Sequence, residues 1–470
     1  MTAPLALLPL PQHVSWSAGV WASTDPWREL SVGLSEDLPR TEYALSISPQ
    51  GASLTAGSEA ALADGRNTFA QIVAGTHGEI PCVSIHDAPR HAWRGLHLDV
   101  VGRFVDLAEL EKIIDALALH RMNVLQLQLS DDQGWRVEIK GYPRLTEIGS
   151  VRSGPLRASE DEKPPSELAQ EAPHGGFYTQ QELRALVAYA HRRGVTIIPQ
   201  ISLPGHMQAA IAAYPQLGAV PDRRVGVREV LGGSDHVLGV SDEVFAFVRD
   251  VLVQVAEVFP AALLHIGAET CARGEWERSA EVRARMVDWG MTRVSEVQGR
   301  FTTFAADVLA EHGTAIVGGD DVLSSRTPDG TTIVVSSGER ALAEAISRGF
   351  PCVVGTEALL GLDRPQGPHR REEPGSPGRP LRLRDVYEAP LVPPKLADAG
   401  RTLVRGIQAS LPTGRVSSSE ELERLLFPRL CAVAERAWGS PPERYEQFLA
   451  RLRDHLPRLD AFGIAYRELD

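Results

Sequence analysis

The feature that most constrains this 470-residue chain is a repeated alternation of short apolar runs and amphipathic segments, beginning at Trp93 and continuing to the C-terminus. Strand-type runs fall at 95–100, 123–129, 195–199, 263–267, 315–317, 332–335, 352–354 and 404–408. Helix-period segments at 107–120, 180–193, 242–258, 294–311 and 340–348 serve as crossovers, and 418–437 and 442–455 read as two closing helices. Runs of Val, Leu and Ile this continuous belong to strands buried on both faces, as in parallel sheets covered by helices. Eight such strands, joined by right-handed crossovers, predict an α/β chain with one (β/α)8 TIM barrel over 91–470.

Residues 1–90 have a different rhythm. Two alternating strands, 43–48 and 52–56, flank a turn at Gly51, and a helix is expected over 59–73. A small N-terminal α+β domain ahead of the barrel follows. Two stretches interrupt the barrel rhythm: 150–174, rich in Pro, Ser and Glu, and 364–380, rich in Pro, Gly and Arg. Neither can bury much surface, so both read as loops or lids near one barrel face.

Charge and cysteine usage narrow the function classes. With 48 basic and 61 acidic residues the net charge is −13, which argues against a surface that tracks phosphates and so against nucleic acid as partner. The four cysteines, Cys82, Cys271, Cys352 and Cys431, are far apart, without C-x-x-C spacing. They fit a reduced interior better than a disulfide framework. The N-terminal run MTAPLALLPLPQHVSW lacks a basic start, and no apolar run reaches membrane-spanning length. The expectation is a cytoplasmic protein with no membrane partner. Without H-x-H, H-x-x-x-H, a G-x-G-x-x-G turn or a P-loop, neither a metal nor a cofactor is expected.

In a barrel of this type the chemistry sits at the C-terminal strand ends. Here those ends carry Asp99 and Arg103, then Gln128, Ser130, Asp131 and Asp132, then Gln200, Ser202 and His206. Further round come Glu269, Asp320–Asp321, Ser336–Ser337, Glu357 with Asp363, and Gln408 with Ser410. A rim of carboxylates, amides and hydroxyls suits a polyhydroxylated ligand, so a small carbohydrate or glycoside is the expected partner.

Several ordered motifs then resemble one family. Trp93-Arg-Gly-Leu-His-Leu-Asp-Val100, Leu129-Ser-Asp-Asp-Gln-Gly-Trp-Arg136, Gly176-Phe-Tyr-Thr-Gln180, Pro204-Gly-His206, His265-Ile-Gly267 and Phe427-Pro-Arg-Leu430 with Ala434-Glu-Arg-Ala-Trp438 resemble family 20 glycoside hydrolases, the β-N-acetylhexosaminidases. The likeness covers nearly the whole chain and implies the barrel and its preceding domain.

The resemblance implies an activity less directly. The family's fourth strand ends His-x-Gly-Gly-Asp-Glu, where Glu is the general acid/base and Asp orients the substrate's own acetamido nucleophile. Here the run is His265-Ile-Gly-Ala-Glu269-Thr270. Read without a gap, Thr270 takes the acid position, where a hydroxyl cannot replace a carboxylic acid; a one-residue deletion puts Glu269 there instead. Positions matching the family's three acetamido-enclosing tryptophans are Gly319, Ser337 and Pro412. Its acetamido-holding tyrosine falls near Gly361, its sugar-gripping glutamate at Gly414, its His-x-His at Gln126–Gln128, and its strand-3 Glu and Asp at Gln200 and Ser202.

The expected catalytic pair is Glu269 and Asp320, with Arg94, Asp131, His206, His265 and Asp363 on the substrate. Arg94 is either a ligand-binding residue or half of a buried ion pair, because a lone charge inside a strand is costly. His206 either shuttles protons or holds the strand-3 loop, and His265 by itself reads as a structural strand residue. The expected function is a glycosidase whose substrate does not use a 2-acetamido group. The alternatives are a catalytically silent relative that binds a sugar or protein, and a divergent hexosaminidase.

Overall fold

The computed structural model describes residues 6–469 except 75, 77, 160–173, 222, 268–270, 368–374, 394–397 and 442. Near the N-terminus, burial alternates along Tyr43–Ser48 and Gly51–Ala56, and the two segments pair as antiparallel strands about Gly51. They are β3 and β4 of a five-stranded sheet that also contains β1 (His13–Ala22), β2 (Leu30–Leu34) and β5 (Glu79–Asp87). The strand order is β1-β5-β3-β4-β2, with only β2 and β4 parallel. Helix α1 (Glu59–Ala74) lays Leu62, Phe69 and Ile72 into the core of this sheet. The strands β1 and β2 are mostly exposed, which is why they left no hydrophobic signature in the sequence.

The expected barrel is present. Its strands are β6 (Trp93–Asp99), β7 (Val124–Gln128), β8 (Thr196–Leu203), β9 (Leu263–Gly267), β10 (Ala315–Gly319), β11 (Thr332–Val335), β12 (Cys352–Val354) and β13 (Val404–Leu411). They close in chain order, β13 pairing with β6, and every neighbouring pair is parallel. Inside, Trp93, Val124, Ile198, Val317 and Val353 form an apolar floor.

Above that floor runs a chain of amides. Trp93 Nε1 donates to Gln408 Oε1 (2.9 Å), Gln408 Nε2 to Gln126 Oε1 (2.9 Å), Gln126 Nε2 to Gln200 Oε1 (2.6 Å), and Gln200 Nε2 to Ser202 Oγ (3.3 Å). Each glutamine both donates and accepts, so a polar layer is buried with its partners supplied. Gly95 makes room for it, because a Cβ there would lie 2.5 Å from the Trp93 indole nitrogen.

Two closing segments differ from expectation. The predicted helix 418–437 is two helices, Ser419–Leu426 and Arg429–Trp438, since Pro428 has no N–H to continue the ladder. The last helix is Tyr445–Ala461, extended past His455 because its buried face continues through Arg458 and Leu459. Of the two expected loops, 160–173 and 368–374 lie outside the described residues; the ends of the first pair as Val151–Arg152 with His174–Gly175.

The two units share a buried ionic joint at the N-terminal ends of the barrel strands. Arg121 Nη1 donates to Asp87 Oδ2 (2.7 Å) and the Trp438 indole to Asp87 Oδ1 (3.1 Å), while Arg121 lies 4.1 Å from the Trp438 ring centre. Arg94 belongs to this joint. Its Nη2 reaches both Asp64 oxygens (3.3 Å), Nε donates to Arg121 O (2.6 Å) and Nη1 to His91 O (3.0 Å). Burial raises the Asp64 carboxyl to about 6 against the pull of Arg94 and Arg121. The expectation that Arg94 binds substrate is therefore corrected: it is half of a buried ion pair, at the end of the barrel remote from the strand-end chemistry.

Candidate functional site

A cavity of about 660 Å³ opens at the C-terminal ends of the barrel strands. Nearly every strand end contributes to its wall, from His97 and Asp99 on β6 round to Gln408 and Ser410 on β13. Six carboxyl side chains line it, Asp99, Asp131, Asp235, Asp320, Asp321 and Glu357, with three histidines, His97, His206 and His265. Among the described residues the wall contains no aromatic side chain other than those imidazoles, and no lysine or arginine. Gly319 and Pro412 lie on the wall.

One side is a continuous hydrogen-bonded relay. Ser410 Oγ donates to His97 Nδ1 (2.8 Å), His97 Nε2 to Gln128 Oε1 (3.0 Å), and Gln128 Nε2 to Asp131 Oδ2 (2.8 Å). His206 Nδ1 donates to the other Asp131 oxygen at 2.8 Å. These partners assign the tautomers, since the Gln128 amide has one acceptor end and one donor end. Burial lowers His97 to about 4, so its ring is neutral near pH 7.

The local sequence explains how Asp131 and His206 meet. Asp131 sits in a short hairpin pairing Ser130–Asp131 with Gly134–Trp135, where neighbouring residues point to opposite faces. Asp131 faces the cavity, while Asp132, in the turn that follows, is buried and accepts from the N–H groups of Gln208 (3.0 Å) and Ser234 (2.7 Å), with its Oδ2 3.7 Å from His206 Nδ1. Burial, with Asp131 nearby, raises Asp132 to about 6. His206 adopts φ +58°, a left-handed conformation uncommon outside glycine that persists where surroundings over-determine it.

His265 is buried in the wall, its Nδ1 accepting from Gly267 N–H (3.0 Å), so that Nε2 carries the ring proton. Burial, then His97, lowers it to about 3, which makes it a neutral donor rather than a charge. Asp99 is also committed: its carboxylate accepts from the N–H groups of Val101 (2.6 Å), Gly102 (3.2 Å) and Thr413 (3.2 Å), fixing two rim loops.

On the opposite side, Asp320 follows β10 and accepts from Ser336 Oγ (3.2 Å), Ser337 N–H (3.0 Å) and Ser337 Oγ. Glu357 follows β12 and faces the open cavity. Burial, then the Asp363 and Asp320 carboxylates, raise its carboxyl above the ordinary 4.5.

The structure thus brings Asp131, His206, His265 and Asp320 to one cavity, as expected from sequence. Asp363 does not line it, but lies close enough to act on Glu357. Glu269, like Ala268 and Thr270, lies outside the described residues; His265 and Ala272, on either side in sequence, both line the cavity. Sequence reasoning missed His97, although its two-residue spacing from Asp99 on a strand was a signal for a shared face. It also missed Ser234 and Asp235, which sit in a loop with no periodicity to read.

Two groups of ligand-type atoms lie within 4.8 Å of one another: Asp131 and His206 on the cavity wall with Asp132 buried behind them, and His120, Cys431 and His455 beneath the barrel. In both, the atoms already hydrogen-bond one another, as in His120 Nε2 with His455 Nε2 at 3.0 Å.

Residues 91–441 match the sequence model of the glycosyl hydrolase family 20 catalytic domain. The chain belongs to glycosyl hydrolase family 20. It is 34% identical over 391 residues to a β-hexosaminidase of Porphyromonas gingivalis, covering 82% of this chain but only 48% of that one, so it spans about half the relative's length. To a β-hexosaminidase of Vibrio furnissii it is 31% identical over 472 residues, covering 92% and 76%. A β-N-acetylhexosaminidase crystal structure superposes with a TM-score of 0.89 at 27% identity, covering 100% and 98%. A family 20 exo-β-N-acetylglucosaminidase from Vibrio harveyi, solved with N-acetylglucosamine, gives 0.86 at 29%, covering 100% and 80%. No helix among the described residues of this family 20 chain is long and apolar enough to cross a membrane.

Proposed function

We propose that this family 20 chain is a glycoside hydrolase that recognises its sugar through hydroxyl groups rather than through a 2-acetamido group. The observation that carries the reading is the wall itself. Two positions that the family resemblance assigns to enclosing indoles, Gly319 and Pro412, lie on the cavity wall as small residues, and no aromatic replaces them among the described residues. The third, Ser337, spends its hydroxyl on Asp320. An indole wall contributes about 150–250 Å² of apolar contact, and this cavity offers carboxylates, amides and hydroxyls in its place.

Glycoside cleavage ordinarily uses two carboxyl groups, one to protonate the leaving oxygen and one to act on the opposite face of the sugar. Asp320 is the cavity carboxylate proposed for the second task, and Glu269 is the partner that the strand-4 sequence nominates. The Asp131–His206 pair and neutral His265 supply donors and acceptors for sugar hydroxyls. A panel of aryl glycosides, with and without the 2-acetamido group, tests the reading. Turnover confined to sugars without it supports the proposal. Preference for 2-acetamido glycosides replaces it with a divergent hexosaminidase, and sugar binding without any turnover replaces it with a silent relative.

A further inference from the structure

A second cavity, of about 720 Å³, lies outside the barrel between helix Ser295–Ala310 and the facing chain at 324–326. Its wall reverses the charge of the first. Arg293, Arg300 and Arg326 line it from three places, the turn before the helix, the helix itself and the facing loop, against one acid, Glu296. In a chain of net charge −13, three guanidinium groups around one opening do not reflect a general excess of basic residues.

The acid is already committed. Glu296 Oε2 accepts from the N–H groups of Thr292 (2.9 Å) and Arg293 (2.7 Å), which fixes the turn carrying Arg293, and Arg293 Nη2 lies 3.8 Å from the other carboxylate oxygen. The guanidinium groups of Arg300 and Arg326 have no hydrogen bond or ion pair to any described residue. That of Arg300 stands 5.8 Å from the Trp289 ring centre and 6.0 Å from that of Phe245, so aromatic contact holds it in place. Its Nε is buried without an acceptor. Other arginines with a buried, unbonded Nε, such as Arg121, Arg429 and Arg458, direct their remaining nitrogens to carbonyl oxygens. Arg300 does not. A half-buried cation positioned by rings alone keeps its N–H donors for a ligand.

The rest of the wall suits a body of sugar size. Ser324 and Ser325 on the loop and Thr303 on the helix bring hydroxyls, and half-buried Trp289 and Met291 bring apolar surface. Gly299 lets the loop close on the helix, because a Cβ there would lie 3.1 Å from Ser325 Cβ and Oγ. A bare phosphate would fill little of the space, whereas cavities of about 300–1,000 Å³ are usual for small organic ligands. Guanidinium forks match the paired oxygens of a carboxylate or phosphate.

We infer that this second cavity binds a sugar-sized polyhydroxylated anion, its phosphate or carboxylate group held by Arg300 and Arg326. The first cavity, lined by carboxyl groups and without lysine or arginine among the described residues, is the wrong place for such a ligand. The inference goes beyond the glycosidase reading and does not depend on it.

The full chain is titrated by isothermal calorimetry at low salt with glucose 6-phosphate, glucuronate, inorganic phosphate and glucose, as wild type, Arg300→Gln, Arg300→Lys, Arg326→Gln and Arg28→Gln. Unfolding midpoints check that each variant folds; Arg326 is exposed, so its variant keeps the test open if Arg300 proves to be needed for packing. At least one sugar anion should bind, with affinity lower by about tenfold or more in each glutamine variant. The loss should be smaller in Arg300→Lys, which keeps the charge without the fork, and absent in Arg28→Gln, an exposed arginine of the other domain. Tighter binding of glucose 6-phosphate assigns the phosphate, and tighter binding of glucuronate the carboxylate; either supports the inference. Glucose, whichever cavity takes it, should bind alike in wild type and both glutamine variants.

Binding of both sugar anions weaker than about 1 mM, or affinities unaltered in Arg300→Gln and Arg326→Gln, overturns the inference. Inorganic phosphate bound as tightly as the sugar anions overturns the sugar-sized body. No step reads turnover, so these failures leave the glycosidase reading standing, and a lack of turnover on every glycoside leaves this inference standing.

Discussion

Replacing Arg94 by leucine separates a structural role from a sugar-binding one. The guanidinium is 4% exposed and its partner Asp64 13%, and all three of its nitrogens are occupied, by Asp64, Arg121 O and His91 O. Arg94→Leu leaves Asp64 buried without its nearest cation. Removing one member of a buried pair costs about 3–5 kcal/mol. Here the cost is bounded because Asp64, already raised to about 6, can take a proton instead of remaining charged. The penalty should therefore sit near the lower end of that range at pH 7 and shrink below about pH 6, where Asp64 is neutral in the wild type as well. The double variant Arg94→Leu/Asp64→Leu should recover part of the loss, since it removes both charges. Urea unfolding reads the stability, and KM or sugar affinity reads the site. A stability loss under about 1 kcal/mol, well below the usual cost of breaking such a pair, accompanied by a tenfold or greater weakening of sugar binding, would refute the structural assignment.

Two other outcomes follow from the cavity and a third from its buried imidazoles. A thiazoline mimic of the cyclised acetamido group should bind no better than a plain monosaccharide, and tight binding by calorimetry would sink the hydroxyl-recognition reading. Because six carboxyl groups and no basic side chain line the cavity among the described residues, aryl uronides should react more slowly than the matching neutral glycosides. The gap should narrow as salt screens the field, and a uronide preference at low salt would show the charge reading to be wrong. His265 ionises near 3 in the folded chain against 6.5 free, so its contribution is complete above the free value and is lost as pH falls toward the folded one. His265→Asn should accordingly flatten the rise of stability with pH by about 1.4 kcal/mol per unit between roughly pH 4 and 6, measured by urea midpoints; an unaltered slope refutes the assignment.

The barrel was legible because its strands are continuous apolar runs separated by helix-period segments, a pattern that few other arrangements bury. Strand parity was equally legible for single residues. Trp93 packs into the barrel floor, and Gly95, His97 and Asp99 share its face, so Arg94 must point outward toward the helices and the preceding domain. Family resemblance marked Arg94 as a ligand residue; parity alone marks it as structural. What was not legible needed three-dimensional closure. The partner of Arg94 is on a helix of the other domain, and Ser234 and Asp235 reach the cavity from a loop whose position is set by Asp132 far away in sequence. The weakly apolar strands β1 and β2 were invisible because a sheet edge that buries little leaves no periodic signal.

The glutamine layer beneath the cavity bears on where protons can travel. Where the family resemblance places histidines and a glutamate, this chain has Gln126, Gln128 and Gln200; Gln126 and Gln200 join Gln408 in one chain of amides, and Gln128 joins His97 to Asp131. Amides do not ionise near neutrality, so this floor can neither lend nor take a proton, and it adds no positive charge under the rim. The neutral rings of His97 and His265 add none either. Two consequences meet at the rim. Among the described residues the carboxyl groups of the wall lie at the rim, and no lysine or arginine lines the cavity to offset their charge. A cleaving glycoside passes through a transition state with positive charge on the sugar ring, and charge developing there is stabilised by fixed groups of opposite sign in a cavity that need not reorganise. The exchange of ionisable groups for amides therefore leaves the carboxyl groups of the described wall at the rim, among them Asp320 and Glu357, which Ser336 ties together.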